Sequence, residues 1–371
     1  MKVLALYLPQ YHRTPDNDRW WGEGYTDWVA AKKAVKYYPG HRQPRVPLND
    51  NYYDLADPTA QAWQWQAGLA KKYGVYGFVV YHYWFGDGKK ELYKPMEILL
   101  QHPEIDTHYS FCWANLTWRR NWYGVEREVL IKQQYGDKKD WEDHFNYLLQ
   151  FFKDKRYIKI DNKPIFHIYH SYEIEDLGEM IHCWNDLAKK NGFKGIYWIS
   201  GNTGSGIDTR TELFDAYYNY EPSFTMKYAL PMLARIKKFI KTKWQVYSNF
   251  RSLIHRRWDH PAIIDSRLFY ANNLKIDSLK DRKCYLGTFC GYDDTPRRQQ
   301  EGMVFDTTPE DFLQNLRSIN SRLHQLDRDD DFVYVTAWNE WGEGAYLEPD
   351  TDYEYAYLEA IQAVLGSTKK A

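Results

Sequence analysis

Cysteine is scarce and scattered. The 371 residues hold four, Cys112, Cys183, Cys284 and Cys290, none in a Cys-x-x-Cys pair. A disulfide framework and a structural zinc site are thereby excluded as organising devices, and a reducing cytoplasm is the expected setting. An excess of charge of either sign is also lacking: 49 Lys and Arg face 50 Asp and Glu, a net of −1. Bulk attraction to nucleic acid or membrane is therefore not a property of the whole chain, and no nucleic-acid partner is expected. No stretch approaches the roughly 18 consecutive apolar residues of a membrane span. The run Met1 to Pro9 is short, and Gln10-Tyr11-His12-Arg13 follows it without a small-residue cleavage pattern. It reads as a strand and not as a signal peptide. No glycine-rich phosphate loop follows an early strand-like run, which counts against a nucleotide cofactor, and no cofactor or metal is expected. His167 and His170 fall on opposite faces of a predicted strand, as core or site histidines rather than ligands.

What is abundant is aromatic. There are 33 Tyr and 16 Trp against only 17 Phe, within a 44% hydrophobic composition that rules out disorder as the main state. Rings with a polar handle suit places that are apolar on one side and wet on the other, such as a binding cleft.

Eight short β-rich runs recur along the chain: Val3 to Leu8, Tyr76 to Tyr81, Tyr109 to Trp113, Pro164 to Tyr169, Ile196 to Ser200, Ala216 to Tyr220, Tyr285 to Phe289 and Phe332 to Trp338. Helical periodicity lies between them at Thr59 to Tyr73, Trp141 to Phe152, Ile174 to Lys190 and Pro309 to His324. The third of these ends in Lys189-Lys190-Asn191-Gly192, a basic last turn with C-cap residues. The pattern predicts an α/β fold, a single (β/α)8 TIM barrel over residues 1–371 with long βα loops, a doubly wound sheet being the alternative.

In such a barrel chemistry gathers where strands end. The first run is followed by Gln10-Tyr11-His12 and a Trp-rich segment through Trp20, Trp21 and Trp28; the second ends in His82-Tyr83-Trp84-Phe85. The third ends in Trp113-Ala114-Asn115 with Trp118 nearby, the sixth in Asn219-Tyr220-Glu221, and the eighth in Trp338-Asn339-Glu340-Trp341-Gly342-Glu343-Gly344. Rings, amides and carboxylates at one mouth suit a polyhydroxylated ligand. Glu340 and Glu343, three apart on a turn leaving a strand, can face one cavity. Close carboxylates do not both ionise easily, so one is expected to keep a proton and act as acid while the other stays charged, as glycosidic cleavage requires. Tyr52, Tyr53, Tyr147 and Tyr157 have no such placement and read as packing.

Met226 to Trp258 carries nine Lys and Arg and no acid. Met232, Leu233, Ile236, Phe239 and Ile240 recur at helical spacing within it, predicting a basic amphipathic insertion around 226–260. Such a face fits anionic lipid, a diphosphate or an acidic glycan, and equally a barrel-capping helix with a solvated basic side. Peripheral contact with an anionic inner membrane through residues 230–258 is the corresponding partner expectation.

Leu8-Pro9-Gln10-Tyr11-His12, Trp20-Trp21-Gly22 with Tyr25-Thr26-Asp27-Trp28, Pro39-Gly40-His41, Tyr81-His82-Tyr83-Trp84, Cys112-Trp113-Ala114-Asn115 and Trp338 to Gly344 with Leu347-Glu348-Pro349 appear in order. This set resembles the WbsX-type proteins of bacterial surface polysaccharide loci, which are similar to glycoside hydrolase family 99, the endo-α-mannosidases. The resemblance implies a (β/α)8 barrel and a retaining mechanism without a glycosyl-enzyme. Glu340 would be the base on a sugar 2-hydroxyl that attacks the anomeric carbon, and Glu343 the acid on the leaving oxygen. Asn339 and Trp341 would shape the subsite. Tyr11, His82, Trp84, Trp113 and Asn115 would hold sugars, with Trp28, His41, Tyr83, Trp118, Tyr220 and Asp293 as further candidates. The chain departs from the family pattern at Leu116, where an acid is frequent, at Asp27, where Glu is usual, and at Asp293-Asp294, where Asp-Asn is usual. These departures spare both glutamates and loosen substrate identity.

Two functions follow as expectations. One is an endo-acting retaining hydrolase of a mannose-like glycan, with transfer to a sugar acceptor as a variant of the same chemistry. The other is a glycosyltransferase of O-antigen or capsular polysaccharide biosynthesis acting on lipid-linked glycans, against which stands the lack of a nucleotide-sugar site. A sugar-binding protein with a dead site is a third, disfavoured by the intact glutamates.

Overall fold

The computed structural model describes residues 1–120, 128–230, 261–274 and 283–368. Eight parallel strands form a ring: β1 (Lys2–Tyr7), β2 (Val75–Trp84), β3 (His108–Trp113), β4 (Lys163–Ile168), β5 (Tyr197–Asn202), β6 (Ala216–Asn219), β7 (Lys283–Phe289) and β8 (Phe332–Thr336). Leu4 of β1 lies opposite Gly77 of β2 on one side and Tyr334 of β8 on the other, and this double pairing closes the barrel. Each strand coincides with one of the eight β-rich runs. Strands buried on both faces need near-continuous apolar sequence, which is why the runs were visible.

The helices are α1 (Pro15–Trp21), α2 (Asp27–Lys33), α3 (Gln61–Tyr73), α4 (Lys94–Gln101), α5 (Lys138–Lys153), α6 (Leu177–Lys190), α7 (Ser266–Tyr270), α8 (Thr295–Arg298), α9 (Pro309–Gln325) and α10 (Ala356–Thr368). Their ends follow local chemistry. Asp137 caps α5 by accepting from Lys139 N at 2.9 Å and Asp140 N at 3.2 Å. Thr308 and Asp311 form a reciprocal capping box at α9, with Pro309 in the first position. The first predicted helix starts two residues late because Asp57 Oδ1 takes both Thr59 N and Thr59 Oγ1, spending that segment on a turn.

Part of the tyrosine excess belongs to the core and not to a wet cleft. Tyr7, Tyr11, Tyr217 and Tyr218 are wholly buried. Inside the barrel His167 of β4 bonds Phe111 O at 2.9 Å and Tyr334 Oη of β8 at 2.8 Å, while Tyr218 of β6 stacks on Tyr334 at 4.7 Å. The core uses hydroxyl-bearing rings and satisfies their hydroxyls internally.

The long βα loop after β1 carries α1 and α2 across the strands' C-terminal mouth. The predicted basic helix from Leu230 to Trp244, and with it the expected membrane contact through 230–258, lies outside the described residues beyond Leu230 itself. Among the described residues no helix is long and apolar enough to cross a membrane.

Candidate active site

Beyond β8 the chain makes a miniature hairpin. Asn339–Glu340 pairs antiparallel with Ala345–Tyr346, and Trp341–Glu343 forms one 3₁₀ turn between them. Two glycines make this tight turn feasible. A Cβ on Gly342 would sit 2.7 Å from both Arg297 Nε and Asp27 Oδ2, and Gly344 adopts φ +56°. Glycine at 342 therefore lets the turn lie directly on the ion pair beneath it.

The turn is anchored from outside at several points. The Asn339 amide pairs with the Leu8 backbone in both directions, at 2.8 and 3.0 Å. Tyr11 Oη reaches Asn339 O and Asp27 Oδ2 and accepts from Trp341 N at 3.1 Å. Asp27 Oδ2 also accepts from Gly342 N at 3.1 Å. Buried Glu348 receives four donors: Trp341 Nε1 at 2.7 Å, Gln66 Nε2 at 2.7 Å, Tyr53 Oη at 2.9 Å and Trp338 Nε1 at 3.0 Å. Burial, opposed by these bonds, pushes Glu348 up to about 7.

Arg297 of α8 joins the acids. Its Nη1 donates to Glu343 Oε1 at 2.6 Å, and its Nη2 meets Asp27 Oδ1 at 2.7 Å and Glu340 Oε2 at 3.5 Å. The guanidinium is held by a chain of support. Asp293 Oδ1 accepts from Thr295 N and Oγ1 at the start of α8, while its Oδ2 takes Gln43 Nε2 at 2.8 Å and His41 Nε2 at 2.9 Å. Tyr37 N donates to His41 Nδ1, which fixes the tautomer with the proton on Nε2. Burial works against Asp293, yet the His41 bond and the Arg45 charge hold it below the usual carboxylate range. The neighbouring Asp294 is pushed up to about 6 by burial despite a bond from Met303 N.

Glu340 is lifted well above the usual carboxylate range, first by burial and then by the charge of Glu343, with Arg297 pulling the other way. The charged form of Glu340 is thus disfavoured, while Glu343 faces the guanidinium. The base role that the resemblance implies for Glu340 runs against that direction.

Above the pair opens a cavity of about 350 Å³. Glu340, Glu343 and Arg297 lie in it, with Tyr81, Tyr83, Tyr169, Tyr220, Trp20, Trp21 and Trp118 among its walls. The volume falls in the usual range for small-molecule sites.

Of the sequence-predicted residues, Glu340, Glu343, Tyr83, Trp118 and Tyr220 line this cavity. The others sit beneath or behind it. Trp28, Trp84, Trp113 and Trp341 are buried with their indole N–H groups committed to Tyr53 O, Asp140, Trp84 O and Glu348. Asn115 pairs with the His170 backbone, His82 with His144, and His41 with Asp293. Tyr11 and Asn339 brace the turn. Sequence reasoning gave no role to Arg297, Tyr81 or Tyr169, and set Tyr53 aside as packing although its hydroxyl holds Glu348. Tyr81 and Tyr169 end their runs, so the strand-end rule could have found them; nothing local singles out Arg297.

The described residues thus form a closed parallel (β/α)8 barrel whose mouth holds two glutamates under aromatic walls. The chain belongs to the family described as Glycosyltransferase WbsX, which it matches over residues 3–361. An uncharacterized protein WxcX of Xanthomonas campestris pv. campestris is 29% identical over 365 residues, and its counterpart in strain B100 matches equally. The match takes in 98% of this chain and 49% of each, so the chain spans about half the length of these curated relatives. Among solved structures, the GH99 endo-alpha-mannosidase of Bacteroides thetaiotaomicron superposes with a TM-score of 0.56 at 14% identity, covering 99% of this chain and 97% of that one. A glycoside hydrolase-like protein gives 0.56 at 12%, covering 98% and 93%. At such identity the likeness is one of fold.

Proposed function

We propose that the chain cleaves or transfers glycosyl units of a bacterial polysaccharide, endo-acting and with retention, using Glu340 and Glu343 as its acid and base. The observation that carries this reading is the single guanidinium shared by both glutamates at the floor of an aromatic-walled cavity. In the first step Glu340 takes the proton of a sugar 2-hydroxyl, whose oxygen attacks the anomeric carbon as the bond to the leaving oxygen breaks. Glu343 protonates that oxygen. In the second step Glu343 deprotonates the incoming water or sugar hydroxyl, which opens the strained ring at the anomeric carbon, and Glu340 returns its proton to the 2-oxygen.

The first step needs Glu340 ionised. Arg297 suits this role, because tightening its contact with Glu340 favours the charged form of that carboxyl. Transfer to a sugar acceptor is the second reading, favoured by the family's description, and it differs only in the nucleophile of the second step. Incubation with α-mannose-type and bacterial surface oligosaccharides, read by mass spectrometry, tests both. Released sugar means hydrolysis, an elongated product means transfer, and no reaction with the wild type where Glu343→Gln is equally silent counts against both.

A further inference from the structure

We infer that the outer part of the cavity binds an anionic sugar residue, a uronic acid in the simplest case, through Arg119. The inference rests on the carbohydrate reading and names the substrate class of that same cleft. Trp118–Arg120 pairs antiparallel with Glu128–Ile131 at the mouth. The register slips between Trp118, opposite Ile131, and Arg119, opposite Val129. A regular strand sends consecutive side chains to opposite faces, whereas here both Trp118 and Arg119 line the cavity. Re-aiming a side chain is what such irregularities do beside active sites.

Arg119 is exposed and has no carboxylate or carbonyl partner among the described residues, a condition it shares there only with Arg317 and Arg322 on the surface of α9. Its neighbour Arg120, by contrast, pairs with Glu128 at 3.5 Å and lies over the Trp21 ring. The carboxylates lining the cavity are Glu340 and Glu343, and Arg297 engages both. Among the described residues the mouth therefore presents one unneutralised guanidinium, lining the same cavity as Trp20, Trp21, Trp118 and Leu116, surfaces that stack on sugar faces and exclude water. A planar carboxylate on a stacked sugar ring is the group that a guanidinium fork binds in two places at once.

The test is calorimetric binding of two sulfur-linked disaccharides that resist cleavage, one ending in glucuronic acid and one in glucose, to the wild-type chain, Arg119→Ala and Arg119→Lys. The wild type is expected to bind the acidic sugar about tenfold more tightly. Arg119→Ala abolishes the preference, Arg119→Lys keeps part of it, and added salt narrows it. Equal binding of both sugars by the wild type, or an undiminished preference in Arg119→Ala, overturns the role of Arg119 and leaves the catalytic reading intact. Absence of binding for either sugar overturns the carbohydrate reading itself.

Discussion

Arg297 Nη1 stands 2.6 Å from Glu343 Oε1, while the same guanidinium reaches Asp27 and Glu340 through its second nitrogen. One positive charge thus serves three carboxylates, one from the start of α2 in the loop after β1 and two from the turn after β8. Lysine, a point charge on a flexible stem, cannot span them. Both Arg297→Lys and Arg297→Ala are expected to lose roughly 10²–10³ in kcat/KM, as removal of a preorganised donor does. Leaving Asp27 buried without its partner costs about 3–5 kcal/mol. Asp27→Asn in the Arg297→Ala background recovers part of the lost melting temperature without recovering activity. Recovery of activity in that double variant would remove Arg297 from the catalytic scheme.

The upward shift of Glu340 has a signature in stability. Its pKa is higher folded than unfolded, so above the ordinary glutamate value the native state holds a proton that the unfolded chain has lost. Stability then falls as pH rises through that window. Glu340→Gln removes this loss. Thermal melts should show the variant gaining on the wild type as pH rises above the ordinary glutamate value and matching it below that value, while turnover is abolished. Parallel melting curves across that range contradict the assignment.

Glu348 faces donors only, two on each oxygen. A glutamine there must turn an N–H₂ toward two of them, so Glu348→Gln is expected to melt lower at every pH, by about 1–3 kcal/mol for each group left unsatisfied. The Trp341 ring shifts with it. The expected kinetic outcome is a kcat about tenfold lower with KM little changed. A rise in KM alone would assign Glu348 to sugar binding.

Trp20 and Trp118 meet edge to face at 5.9 Å on the cavity wall and are only partly buried. Trp118→Ala should raise KM for an oligosaccharide by about tenfold, the worth of one stacked ring, and leave the melting temperature nearly unchanged. The buried Trp113→Ala should do the reverse, losing about 3–5 kcal/mol of stability.

The barrel was legible because each strand is a near-continuous apolar run, and Glu340 and Glu343 because they stand together at the end of the last one. The distinction between wall and scaffold was not. Trp84 and Trp118 look alike in sequence, and only the fold shows that Asp140 claims one indole N–H while the other ring borders open space. Arg297 was illegible for a related reason. Thr295-Pro296-Arg297-Arg298 reads as a basic turn, and Arg298 meets Asp294 at the surface; which arginine turns inward depends on Asp27, 270 positions away. His41 and Asp293 were found, but as sugar contacts and not as the props of α8.

The imidazoles behind the wall carry one more implication. His82 Nε2 lies 2.8 Å from His144 Nε2, and Trp84 lies flat on His144 at 4.5 Å. Burial drives His82 down to about 3 and His144 well below its ordinary value. Burial thus disfavours the charged form of both rings, and these two histidines make poor proton donors behind the wall. A rate profile falling on either side of neutrality, which an assayist would habitually credit to histidine, is not to be credited to this pair.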